Sequence, residues 1–147
     1  MKTPFLSVLA VSLMLGAGDA KEDAKKEQEK LQGTWKAVTL QENGQSKEDN
    51  ENVRLIFSGD EWSLKKGDET LFKGKFKINA SKKPSEIDME VTEAHKENFQ
   101  DKTALGIYEL EGNKLKWCAK SPGVTERPTE FSGQDGRFLV LFEREKP

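Results

Sequence analysis

The sequence predicts an all-β protein: eight antiparallel strands closed into a barrel and preceded by one short N-terminal helix. Three observations carry that prediction. Apolar residues alternate with polar ones at a period of two in stretch after stretch of the chain. Short Gly/Asx turns join several of these stretches, as antiparallel neighbours require. Only one segment, ahead of the first strand, has helical composition, so no second helix is available to cover an open sheet. An open sheet would leave two unpaired edges, and closing it on itself removes them. A two-sheet sandwich is the other arrangement that the turn signals allow.

The first twenty residues stand apart from the fold. Lys2 is followed by an apolar run over residues 5–15, too short to span a bilayer, and then by the small residues GAGDA. This reads as a secretory signal cut after Ala20, with cleavage after Gly18 as the alternative. The expected consequence is an exported protein, periplasmic or secreted, with no stable membrane insertion once the signal is removed. Residues 21–147 then form a single domain of 127 residues, a size that supports one core of modest extent.

The elements follow in order. Residues 21–32, KEDAKKEQEKLQ, place acids early and lysines later, which favours a helix. Ala24 and Leu31 give it a narrow apolar face, so it is a capping helix with little stability of its own. The first strand spans residues 34–41. Inward positions of the next five are Val53, Leu55 and Phe57; Trp62 and Leu64; Phe72, Gly74, Phe76 and Ile78; Ile87, Met89 and Val91; and a stretch over residues 104–110. Leu115, Trp117 and Ala119, then Phe138, Val140 and Phe142, complete the eight. Three longer connections remain: 42–51, polar throughout; 92–102; and 120–136, with two prolines and three glycines.

Composition narrows the function. After residues 1–20 are set aside, 23 basic residues face 25 acidic ones, and the lysines are interspersed with acids along the strands. Phosphate binding needs a basic surplus on one face, so nucleic acid is not an expected partner. Cys118 is the only cysteine, which leaves stability to packing alone and favours a small apolar filler over a reactive thiol. His95, in EAHKEN, is the only histidine. One histidine and one cysteine cannot fill a zinc site, and the carboxylates at 48–51 lack the spacing of a calcium loop. No metal or cofactor is therefore expected. No Gly-x-Ser-x-Gly is present, and nothing assembles a catalytic set around His95, so no enzyme is expected either. Asn79-Ala80-Ser81 is a glycosylation sequon, relevant where the source glycosylates.

Several motifs occur together in a fixed order: Leu31-Gln32-Gly33-Thr34-Trp35, Phe57-x-Gly59-Asp60, Gly74-x-Phe76, Lys83-Pro84-x-x-Ile87-Asp88, Gly106-Ile107-Tyr108, Gly112-x-x-Leu115, Cys118, Arg127-Pro128-x-x-Phe131 and Arg144. In these the chain resembles the uncharacterised lipocalin-like domain family that is expanded in planctomycete bacteria, over about residues 28–144. The resemblance implies a calycin-like barrel and export, with no established activity. It also implies that Gly33 and Trp35 form the Gly-x-Trp device of true lipocalins, in which the indole plugs one end and a cation from the last strand, here Arg144, lies across it. The chain departs from secreted lipocalins in lacking a disulfide.

An eight-stranded barrel has room to be filled by side chains or to hold one small ligand. Trp35, Phe57, Trp62, Phe72, Phe76, Trp117, Phe138 and Phe142 all take inward parity, and that bulk favours a filled lumen. Gly74 opposes it locally, by opening a pocket or allowing a bend. The candidate ligand contacts are Arg127, Tyr108, Trp62, Phe76 and Trp117, at the end opposite Trp35. For Arg127 a structural role is favoured, as a pin to Asp88 that holds the long loop to the wall. The expected function is a monomeric, exported barrel binding a small apolar or amphipathic molecule. The alternative is a ligand-free structural or interaction module with a filled core.

Overall fold

The computed structural model describes residues 25–42, 44–47, 52–95 and 97–145, and the expected signal over residues 1–20, Ala24 and the carboxylates at 48–51 lie outside them. A helix, α1, occupies residues 25–31. Among the described residues nine strands follow: β1 (Gly33–Glu42), β2 (Gln45–Lys47), β3 (Val53–Ser58), β4 (Glu61–Lys66), β5 (Glu69–Asn79), β6 (Ser85–Ala94), β7 (Thr103–Glu111), β8 (Lys114–Lys120) and β9 (Arg137–Arg144). A single 3₁₀ turn, Glu97–Phe99, lies between β6 and β7.

Each strand from β3 to β8 pairs antiparallel with the next, β1 pairs with β3, and β1 also pairs with β9. That last ladder runs from Trp35 opposite Arg144 to Glu42 opposite Phe138 and closes an eight-stranded barrel. β1 serves both neighbours because it is long and bulged between Ala37 and Thr39, which bends it around the wall. The ninth strand corrects one expectation. The 42–51 connection was read as polar loop, yet residues 45–47 fold back on the end of β1 as β2. Its three residues carry no apolar alternation, so no period-two signal could reveal it.

One end of the barrel is sealed. Trp35 is fully buried, and the Arg144 guanidinium lies 4.3 Å from the centre of its indole ring. The indole Nε1 donates to the Leu31 carbonyl at 2.8 Å, while Arg144 donates to the carbonyls of Gln32, at 2.7 Å, and Lys30. The last carbonyls of α1 lack partners within the helix. Here the barrel supplies those partners and Leu31 is buried beneath the turn, so α1 is held as a lid on the floor. Gln32 extends the seal, donating its side-chain amide to the Gly59 carbonyl and accepting from the Gly59 N–H at 2.6 Å. Gly33 must stay small and left-handed: its φ is +113°, and a Cβ there would sit 3.3 Å from Arg144 Nη1.

The 120–136 connection forms a strap over the outside of β7 and β8. Ile107 and Cys118 face outward yet are almost wholly buried beneath it, together with Pro128. The Cys118 thiol is directed at the carbonyls of Ser132, at 3.3 Å, and Glu130, and burial pushes its pKa up. The strap then reaches the turn between β1 and β2, where the Gly44 N–H donates to the Gly133 carbonyl at 2.9 Å.

Candidate functional site

The lumen is divided by height. Near the floor, Trp35, Phe57 and Phe76 pack solidly, with the Phe57 and Phe76 rings in edge contact at 4.8 Å between centres. Above them lies a cavity of about 570 Å³ that ends at the edge opposite Trp35. Its rim is formed by the end of β1 at Leu40, the start of β3 at Val53, the end of β4 at Lys66 and the end of β8 at Lys120. A filled lumen was favoured from the bulk of eight inward rings, and the structure corrects this. Five of those rings, Trp62, Phe72, Trp117, Phe138 and Phe142, line the space rather than occupy it.

Gly74 has a different task from opening that space. A Cβ at this position would come within 1.6 Å of the Glu90 carbonyl oxygen. The register of β5 on β6 slips between Lys73 and Gly74, and the missing side chain lets the β6 backbone close in at the slip. The same Glu90 carbonyl accepts a hydrogen bond from Trp62 Nε1 at 2.9 Å, which fixes that indole as a cavity wall.

The five candidate contacts separate into two groups. Trp62 and Trp117 line the cavity, whereas Phe76, Tyr108 and Arg127 do not. Trp117 Nε1 is the one buried side-chain polar atom without a partner among the described residues, because its indole lies against Gly106 on the neighbouring strand. Tyr108 belongs to the floor, where its hydroxyl donates to Glu27 of α1 across 3.5 Å. Arg127 stands on the outer wall. It forms a 2.5 Å ion pair with Asp88 and donates to the carbonyls of Gly106, at 2.8 Å, and Ile87. It therefore ties the strap to β6 and β7 at mid-height, well away from the rim.

Tyr108 makes the floor testable by light. Burial first, and then the negative charge of Glu27, push its pKa well above the ordinary tyrosine value. An unfolded chain ionises tyrosine near pH 10, so above that pH the native state holds more protons and stability falls. Tyr108 is the only tyrosine in the sequence. Its ultraviolet titration is therefore expected to show no phenolate until the barrel unfolds, and Tyr108→Phe to soften the loss of melting temperature above pH 10. A smooth titration near pH 10 in folded protein would contradict the burial.

The cavity lining is almost entirely carbon. Among the described residues its charged and hydroxyl side chains are Lys66, Lys120 and Ser121, all at the rim, and it includes no acid, histidine or cysteine. Lys120 forms a 3.0 Å ion pair with the exposed Glu126, whose carboxyl is held below its usual range by the ammonium. His95 lies on the surface near this end, with Nδ1 3.0 Å from Glu69. Among the described residues no group of histidine, cysteine and carboxylate side chains could hold a metal ion. No family model, curated protein or solved structure matches the chain.

Lys66, Lys120 and Ser121 were missed in the sequence. For Lys66 a signal existed, since it continues the inward parity of Trp62 and Leu64. Lys120 and Ser121 sit where β8 gives way to the strap, and no periodicity assigns a facing there.

Proposed function

We propose that this chain is an exported, lipocalin-like barrel that binds a small apolar or amphipathic molecule in the upper half of its lumen. The observation that carries the proposal is the carbon-lined cavity above a sealed floor. Its volume falls in the range of roughly 300–1,000 Å³ typical of small-molecule sites. A binding role is favoured over catalysis because the lining presents walls for contact and no general base or acid directed at a reacting atom. The signal-like residues 1–20 support export, which predicts that protein from the extracytoplasmic fraction has a mass starting at Lys21.

Transfer of carbon from water into such a cavity contributes about 0.8 kcal/mol per methylene, or roughly fourfold in affinity. Linear alcohols of increasing length are therefore expected to bind with Kd falling about fourfold per carbon until the cavity is full. Trp62 and Trp117 line the cavity and report the event by fluorescence. Saturation should also raise the melting temperature, since ligand at a hundred times its Kd adds about 2.7 kcal/mol. A panel of alcohols that changes neither fluorescence nor melting temperature would overturn the reading in favour of a ligand-free module.

A further inference from the structure

We infer that the ligand carries an anionic head group, which the rim lysines Lys66 and Lys120 receive with Ser121 while the apolar body fills the cavity below. This rests on the cavity being a binding site and adds the charge and orientation of what enters it.

The polarity of the lining is one-sided. Two ammonium groups and one hydroxyl stand at the rim, among the described residues no carboxylate contributes to the lining, and the side chains deeper in are apolar apart from the indole N–H groups of Trp62 and Trp117. A neutral apolar ligand would gain nothing from two cations at its exit, and a cationic one would meet repulsion. An anion placed at the rim leaves its chain pointing at Met89 and Phe142 and its charge beside the lysines.

The lysines are also available. Lys66 makes no ion pair among the described residues. The acid across the ladder from it, Glu69, directs its carboxylate to His95 at 3.0 Å. Lys120 is only 21% exposed while its partner Glu126 is 80% exposed. That pair places the ammonium close to the cavity with a carboxylate that water screens well, so an incoming anion can substitute for Glu126 without stranding a buried charge. Ser121 follows Lys120 and offers a hydroxyl donor to the same oxygens.

Size sets the class. At roughly 30 Å³ per carbon, the share of a water molecule in the liquid, the cavity has room for a saturated chain of up to about nineteen carbons. A long-chain carboxylate has that body and that head.

The test compares tetradecanoate, tetradecanol and tetradecyltrimethylammonium below their aggregation concentrations, read by tryptophan fluorescence of the full chain. Tetradecanoate is expected to bind at least about tenfold tighter than tetradecanol, the scale of one hydrogen bond to a charged group, and the ammonium most weakly. Lys66→Met with Lys120→Met should bring carboxylate and alcohol to equal affinity, with a cooperative thermal unfolding transition showing that the variant is folded. Equal binding of carboxylate and alcohol to the unaltered protein overturns the head-group inference and leaves the cavity reading standing. So does a carboxylate preference that survives both substitutions. Failure of all three compounds to bind overturns the cavity reading itself.

Discussion

Replacing Trp35 by alanine is expected to cost the fold about 3–5 kcal/mol, the range for a fully buried large aromatic. Three losses coincide at this position. The floor loses its largest buried side chain, the Leu31 carbonyl loses the indole N–H, and Arg144 loses the ring it lies on. The contact of the cation with the ring is itself worth on the order of 1 kcal/mol. Arg144 also holds the carbonyls of Gln32 and Lys30, so α1 should loosen along with the floor. For a domain of this size the loss corresponds to a fall of about 10 °C or more in Tm. Trp35→Phe keeps most of the apolar volume and gives up the N–H, and should fall between the two. Urea or thermal unfolding measures all three proteins, and a loss below about 1 kcal/mol for Trp35→Ala would contradict the sealed floor.

Gly74→Ala should be almost as damaging, at about 3 kcal/mol, the upper end of what overpacking costs. The reason is a collision with backbone. The new Cβ would stand 1.6 Å from the Glu90 oxygen and 2.7 Å from its carbonyl carbon, and neither can rotate away. β5 and β6 must separate, and with them goes the bond from Trp62 Nε1 to that oxygen. Gly67→Ala is the appropriate comparison, because it has φ +62° with open space around the position. That change carries only the conformational cost of a left-handed residue, about 1–2 kcal/mol. Equal losses for the two variants would show that the β5–β6 slip tolerates a side chain.

How much of this was legible in the sequence depends on which coordinate of the barrel is asked about. Inward and outward facing were legible. Alternation placed Phe57, Trp62, Phe76 and Trp117 on the inner face, and the lipocalin Gly-x-Trp device pointed to the stack of Arg144 on Trp35. Height along the barrel axis was not legible. Phe76 and Phe72 share parity and lie four residues apart, yet one packs into the floor and the other lines the cavity. Strand tilt and register set height, and no local period encodes them. For the same reason Tyr108 and Arg127 were read as candidate contacts although one lies low in the barrel and the other outside it. The outer cluster of Ile107 and Cys118 was hidden for another reason: outward parity normally means water, and only the strap makes that face dry.

The division of the lumen into a packed lower half and a cavity above it separates two kinds of evolutionary freedom. Substitutions at Trp35, Gly33, Arg144 or Phe57 disturb the packing on which the chain depends to fold. Changes at Leu40, Val53, Phe138 or the two lysines of the rim reshape the upper space and leave the Trp35 floor in place. Under the binding function proposed above, a lineage can therefore exchange one cargo for another by editing the upper half while inheriting the lower half intact. Descendants of this chain should be most alike around the indole and most diverse around the mouth.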